Sequence, residues 1–122
     1  MKVLLSIKPE YAEKILSGEK KYEFRRTLFK NPSISKIVIY ASSPVQKVIG
    51  EFDIDIVLSL GLDDLWSKTK KHSGIEKEFF YDYFDGKDVA HAIKVKRTKR
   101  YKNPKTLSRY DIAHPPQSFM YL

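Results

Sequence analysis

Residues 17–26 carry the side chains with the clearest chemical potential. A serine and a glycine precede a short run in which charged residues alternate with aromatic ones. Alternate side chains of a strand point to opposite faces, so Tyr22 and Phe24 are predicted to face a core. The charged residues then share the other face: Lys21, Glu23 and Arg25. Mixed charges that include a fork-shaped guanidinium can anchor a polar, anionic ligand, but taken alone they are more typical of a solvated strand face with a Glu–Arg pair.

Lys20 is predicted to lie just after the turn, at the mouth of the space that the strands enclose. An ammonium group there can hold a phosphate or polarise a carbonyl. Glu23 can accept hydrogen bonds from the amino group of a base, or it can lock Arg25 in a structural ion pair. If the chain is an enzyme, the candidate catalytic groups are Lys20 and a hydroxyl from Ser118 or Tyr40.

The spacing Gly18-x-Lys20-x-x-Glu23-x-Arg25 resembles the G-x-K-x-x-E-x-R signature of the ASCH domain family, a small barrel similar to the PUA RNA-binding domain. The resemblance extends to the segments 5–9, 39–42, 48–52 and 116–119, and so covers nearly the whole chain. It implies a barrel whose cleft is lined by the four signature residues. It also implies RNA or a nucleotide as the ligand, and a role in regulating transcription or translation.

Some ASCH-like proteins are reported as ribonucleases, and others remove the acetyl group from N4-acetylcytidine. The resemblance therefore leaves a metal-independent ribonuclease open as an alternative to a binding module. The amidohydrolase branch is disfavoured, because it places a threonine nucleophile where this chain has Glu23. A carboxylate cannot take over the part of a hydroxyl that a lysine activates.

Three further segments supply candidate ligand contacts. Lys8 precedes a proline that begins a predicted helix, and helix N-termini attract anions. Gln117 and Ser118 follow two prolines near the C-terminus, and the resemblance implies that this segment lies next to the signature lysine. Arg26 directly follows the signature.

A basic run at residues 94–105 contains seven lysines and arginines and no acidic residue. On one strand Lys94, Lys96, Thr98 and Arg100 would share a face and form a ladder along a phosphate backbone, with Tyr101 stacking on a base. The alternative is an edge strand that lysines protect from aggregation. An acidic protein partner is a third possibility for this strand.

Composition sets broad limits on the class of protein. The chain has 122 residues, 42% of them hydrophobic, a net charge of +8 and no cysteine. We expect a single domain over residues 1–122, without a membrane span, in the cytoplasm. The three histidines lack metal-ligand spacing and thiolates are absent, so neither a metal nor another cofactor is predicted.

The hydrophobic pattern predicts the order β-α-β-β-β-α-α-β-β. The strands are predicted at 2–7, 20–27, 36–41, 46–58, 88–101 and 118–122, with a bulge or bend at Gly50 and a turn at 103–105. The helices are predicted at 9–17, 62–72 and 75–84. This order is α+β with mostly antiparallel pairing, and the resemblance implies a small PUA-like β-barrel of five to six strands with flanking helices.

Overall fold

The computed structural model describes residues 1–122. Six strands and three helices follow one another along the chain, with two short 3-10 helices at Lys70–His72 and Leu107–Tyr110. The strands are β1 (Lys2–Ile7), β2 (Tyr22–Arg25), β3 (Lys36–Ala41), β4 (Lys47–Leu60), β5 (Ala90–Lys105) and β6 (Phe119–Tyr121). The helices are α1 (Pro9–Ser17), α2 (Leu62–Thr69) and α3 (Lys77–Tyr83).

All six strands form one curled sheet in the order β2-β5-β4-β3-β1-β6. Only β1 and β3 pair in parallel, and the other four pairs are antiparallel. The sheet closes to a half-barrel with the three helices at its flanks. The predicted α+β class, the mostly antiparallel pairing and the PUA-like architecture are confirmed.

The first helix has the bounds that the sequence predicts, and both of its ends have local causes. Pro9 occupies the first helical position, where its missing N–H has no partner to lose. Gly18 ends the helix in a left-handed conformation with φ of 88°, and its N–H donates to the carbonyl of Ile15. This fixed end delivers the chain directly into the signature strand.

Three clusters of buried side chains hold the elements together. The largest lies between α1 and the concave face of the sheet, where Ala12 and Ile15 meet Leu5, Ile39 and Phe52. A second, mainly aromatic cluster joins β2 to α2 and α3: Phe24, Leu65, Phe80, Phe84, Ala90 and Ala92. The third packs under the 3-10 helix at Leu107–Tyr110: Leu4, Val38, Tyr40, Val48 and Ile112.

Two of the three charged residues of the predicted face, Glu23 and Arg25, are not solvated, contrary to one of the two expectations, whereas Lys21 is exposed. Phe24 packs in the aromatic cluster, but Glu23 and Arg25 are only 6% and 9% exposed on the other face. The register explains this burial, because Glu23 lies opposite Ile93 of β5, which belongs to the largest core cluster. Both faces of this four-residue strand are therefore covered.

Strands β4 and β5 form the longest ladder of the sheet, and irregularities bend it. The predicted bulge at Gly50 is confirmed by a register shift between Val48 and Gly50. The glycine is also required by space, since a Cβ there would lie 2.7 Å from the Lys99 carbonyl oxygen and 2.9 Å from Leu16 Cδ2. The bulge therefore lets α1 and β5 approach β4 closely.

The basic run differs from its prediction in two ways. Val95 pairs with Ile54 and Arg97 with Asp53, so Lys96 is an extra residue that interrupts the alternation. Lys94 and Arg100 consequently project from opposite faces, and the predicted one-face ladder is wrong. The predicted turn at residues 103–105 is also wrong, because β5 continues to Lys105. Pro104 is tolerated there since β2 pairs only with the first part of β5 and leaves this part as an edge.

The predicted second and third helices exist but are shorter. The 62–72 segment ends as an α-helix at Thr69 and continues as a 3-10 turn, and the next helix begins only at Lys77. Ser73 and Gly74 occupy the interruption, and Gly74 has a φ of 70°. None of the helices is long and apolar enough to cross a membrane.

Replacing Gly50 by alanine should destabilise the fold, because the backbone carbonyl of Lys99 cannot yield as a flexible side chain can. We expect a loss of about 1–3 kcal/mol in the free energy of unfolding. Gly61→Ala is the matched control, since a Cβ at Gly61 has no neighbour within 4 Å. Urea denaturation of both variants measures the difference, and equal midpoints would contradict the close packing at Gly50.

Candidate functional site

A cleft of about 280 Å³ opens between α1, β2 and α3. Five polar residues that the sequence predicts as ligand contacts line it: Lys8, Lys20, Glu23, Arg25 and Gln117. Sequence reasoning missed its aromatic wall, formed by Tyr11, Phe79 and Tyr83. Their spacing in the sequence fits helix stripes that pack in a core, and it gives no sign of a cleft.

Lys20 is the most unusual residue of the cleft because its side chain is almost fully buried, with 2% of the residue exposed. Its Nζ donates a hydrogen bond of 2.6 Å to the carbonyl oxygen of Ser73 and lies 4.7 Å from the ring centre of Phe24. Burial lowers the pKa of Lys20 from its ordinary value of 10.5 to about 8, although the nearby Glu23 carboxylate opposes this shift. A buried amine with such a pKa is suited to binding an anion or to accepting a proton.

The turn around Ser73 and Gly74 is built against Lys20. The Ser73 hydroxyl bonds the carbonyls of Lys70 and Ile75, and the N–H of Lys21 donates to the His72 carbonyl, so the turn is tied to the start of β2. A Cβ at Gly74 would lie 2.6 to 2.9 Å from three carbons of the Lys20 side chain. The sequence showed only a helix break here, and nothing local indicates which side chain the break accommodates.

Glu23 and Arg25 form a buried ion pair, with Arg25 NH1 at 3.0 Å from Glu23 Oε2. The same guanidinium donates to the carbonyl of Ser6 at 3.3 Å and to the carbonyl and hydroxyl oxygens of Ser118, each at 2.9 Å. Arg25 thus joins β2 to the end of β1 and to the C-terminal segment. Both terminal nitrogens of Arg25 donate within the protein, whereas Glu23 accepts from Arg25 only through Oε2, which leaves Oε1 for the cleft.

The other predicted site residues are distributed around and beyond the cleft. Ser118 lies behind Arg25 and does not line the cleft. Arg26 donates to the carbonyls of Tyr83 and Asp85 and stabilises the end of α3. Tyr40 is 3% exposed and packs in the third core cluster, away from Lys20.

The basic run lies outside the cleft, and part of its charge is already paired. Arg100 makes two hydrogen bonds to the Glu13 carboxylate, at 3.0 and 2.7 Å, and Lys94 Nζ lies 3.7 Å from Asp55. The Tyr101 hydroxyl donates to Glu51 at 2.8 Å, which holds its ring against the sheet. Lys96 is exposed and in no ion pair, as are Lys99 and Lys102.

No group of three or more His, Cys, Asp or Glu side chains is arranged to hold a metal ion. The charged and amide groups that line the cleft are instead two amines, one carboxylate, one guanidinium and one amide. Donors and acceptors of this kind recognise hydrogen-bonding edges and anions.

The fold is a curled half-barrel, and a buried lysine and carboxylate lie at its first helix–strand junction. The model of the ASCH domain matches residues 5–105. The chain belongs to the ASCH domain family, and the expectation from its signature is confirmed.

Two proteins that are similar in sequence are longer than this chain. Large ribosomal subunit protein uL22 of Ureaplasma parvum serovar 3 is 36% identical over 121 residues, which are 98% of this chain and 39% of that protein. An ASCH domain-containing ribonuclease of Zymomonas mobilis subsp. mobilis is 33% identical over 90 residues, which are 74% of this chain and 61% of that protein. The chain thus spans less than two thirds of the length of either relative.

Solved structures agree with the fold over nearly the whole chain. The crystal structure of ASCH from Zymomonas mobilis superposes with a TM-score of 0.89 at 31% identity, covering 99% of this chain and 87% of that chain. A serine-to-alanine mutant of the Zymomonas protein superposes with a TM-score of 0.90 at 29% identity, with the same coverage. The half-barrel is therefore the fold of this family.

The low pKa of Lys20 should make stability depend on pH. Between pH 8 and 10.5 the unfolded chain holds a proton on Lys20 that the folded protein has lost. The free energy of unfolding should therefore rise with pH across this window, by about 3 kcal/mol in total. Lys20→Met lacks this amine, so denaturation of the wild type and the variant at several pH values isolates its contribution. If the difference between their free energies of unfolding does not change with pH, the lowered pKa of Lys20 is contradicted.

Gly74→Ala should move Lys20, because the new Cβ overlaps its side chain. Gly86→Ala is the matched control: its φ of 82° is equally left-handed, but no atom lies within 4 Å of the added carbon. Both variants should lose about 1–2 kcal/mol of stability from the left-handed alanine. Only Gly74→Ala should raise the pKa of Lys20 towards its ordinary value, as followed by NMR of the lysine side chains. If Lys20 has the same pKa in both variants, the turn does not position its side chain.

Proposed function

We propose that this ASCH domain binds RNA and holds one of its nucleotides in the cleft between α1, β2 and α3. The observation that carries the proposal is the buried Lys20 beside Glu23 in a cleft with an aromatic wall. Ligand pockets usually enclose about 300–1,000 Å³, so a cleft of about 280 Å³ suits a single nucleotide and excludes a duplex.

Each side chain of the cleft has a part in this binding. Lys20 and Lys8 attract the phosphate, and the free oxygen of Glu23 accepts a hydrogen bond from an amino group of the base. The Gln117 amide can donate and accept at the same edge. Tyr11 offers ring surface to the base, as in other proteins that recognise single-stranded RNA.

The names of the relatives support an RNA-related function. One relative is a ribosomal protein and another is named a ribonuclease. Lys96, Lys99 and Lys102 on the exposed part of β5 provide unpaired positive charge, which would attract the rest of the RNA backbone without reading its sequence.

Binding of a labelled single-stranded RNA, followed by fluorescence anisotropy at about 50 and about 200 mM salt, tests the proposal. Lys20→Met should weaken binding about 10- to 100-fold, because it removes a charge-assisted hydrogen bond in a buried place. Lys68→Met is the matched control, since it removes the same charge from an exposed position on α2 outside the clefts. Equal losses of RNA affinity in both variants would show that only the net charge of the protein matters. No RNA binding at low salt would overturn the proposal.

Cleavage of RNA is the second candidate function, and the pKa of Lys20 favours it. With a pKa of about 8, an appreciable fraction of Lys20 is neutral near pH 7.5. A neutral amine can take the proton from a ribose 2′-hydroxyl, whose oxygen then attacks the adjacent phosphorus. The bond to the 5′-oxygen breaks, this oxygen takes a proton from water, and a 2′,3′-cyclic phosphate and a 5′-hydroxyl form; Lys20 then returns its extra proton to the solvent.

The same RNA, recovered from the binding experiment in the presence of a chelator, separates the two candidates. Cleavage that Lys20→Met abolishes and Lys68→Met retains would establish a metal-independent ribonuclease. Intact RNA with wild-type protein would leave the cleft as a binding site. Cleavage that persists in Lys20→Met would exclude Lys20 as its base.

A further inference from the structure

A second cleft of about 450 Å³ adjoins the first one. The two clefts share three residues, Tyr11, Ile75 and Phe79, and all three carry apolar surface. The partition between the clefts is therefore apolar, while the far side of the second cleft is charged. Because RNA is continuous, a nucleotide held in the first cleft must have a neighbour at its border.

Phe79 presents ring surface at this border. It is 37% exposed, whereas its neighbour Phe80 is fully buried in the aromatic cluster. The ring of Tyr83 lies nearly parallel to that of Phe79, at an angle of 7° and a centroid distance of 6.2 Å. Tyr11 lies 5.7 Å away at 58°. Two rings therefore hold Phe79 in place, and a supported, exposed ring is what a nucleobase stacks on.

The charges of the second cleft select a base over a phosphate. Carboxylates outnumber amines in its lining: Glu10, Glu19 and Glu76 against Lys14 and Lys70. Lys14 is also engaged, since its Nζ donates to the Gly74 carbonyl at 3.3 Å and lies 3.8 Å from Glu19. A phosphate would meet net repulsion there, but the amino groups of a base would find acceptors.

We propose that the second cleft binds the base of the nucleotide adjacent to the one in the first cleft, stacked on Phe79. The recognition unit is then two consecutive nucleotides of a single strand, with the phosphate between them outside the acidic lining. This inference rests on the proposed function of the first cleft and extends it to a second subsite.

The test compares nucleoside 5′-monophosphates with the corresponding dinucleotides, using all four bases at each position, by titration calorimetry. In the wild type a dinucleotide should bind about 5- to 150-fold tighter than its better-bound monophosphate. Phe79→Ala should reduce this ratio to about twofold or less. Because the ratio is taken within one variant, any effect of Phe79 on the first cleft cancels.

Val89→Ala serves as the matched control, because Val89 is also exposed and apolar but lines neither cleft, and it should keep the wild-type ratio. If a dinucleotide binds the wild-type protein no better than a monophosphate does, the second subsite is overturned and the first is left intact. A ratio that survives Phe79→Ala would also overturn it. If neither a monophosphate nor a dinucleotide binds, the proposed function itself fails, and the two failures are distinguishable.

Discussion

The buried ion pair of Glu23 and Arg25 is the interaction on which the cleft depends. The edge strand β2 forms a backbone ladder only with β5, and β6 is the other edge of the sheet, so backbone hydrogen bonds do not close the half-barrel between these two edges. Arg25 spans this gap with bonds to Ser6 and Ser118. Taking both charges out of water is costly, and only a nearly complete set of hydrogen bonds offsets that cost. The pair therefore fixes the cleft wall and holds Glu23 in one orientation.

A second buried charge beside this pair is harder to justify by stability. The carboxylate of Glu23 lies among two cationic side chains, and the pKa of Lys20 is lowered by burial in spite of it. A methionine would fill the same space without the desolvation cost, so the fold gains nothing obvious from an amine here. The turn at Ser73 and Gly74 nevertheless provides a carbonyl acceptor and room for its stem. Groups held at such a cost are typical of functional sites, where a preorganised charge serves a ligand.

Local signals predicted the parts of this structure that local chemistry determines. Pro9 and Gly18 fixed both ends of α1, the glycine in β4 marked a real bulge, and the signature placed its lysine, glutamate and arginine at one cleft. The failures concern long-range relations. The bulge at Lys96 depends on how β5 pairs with β4, and no glycine or proline in the sequence indicates it. The partner of Gly74 lies more than fifty residues away, and the exposure of Phe79 depends on how α3 docks against α1.

The anchoring of Glu23 also bears on which chemistry this domain supports. A carboxylate whose Oε2 accepts a hydrogen bond from Arg25 serves as a fixed acceptor. The deacetylation chemistry that some ASCH-like proteins perform needs a hydroxyl at this position, and the hydroxyl of Ser118 lies behind Arg25 instead. In the proposed cleavage reaction Lys20 would be the base, and its hydrogen-bond partner is a backbone carbonyl rather than a second acid or base. Under the proposed function, the choice between binding and cleavage depends on one proton of Lys20: the protonated amine would hold a phosphate, and the neutral amine would activate a 2′-hydroxyl.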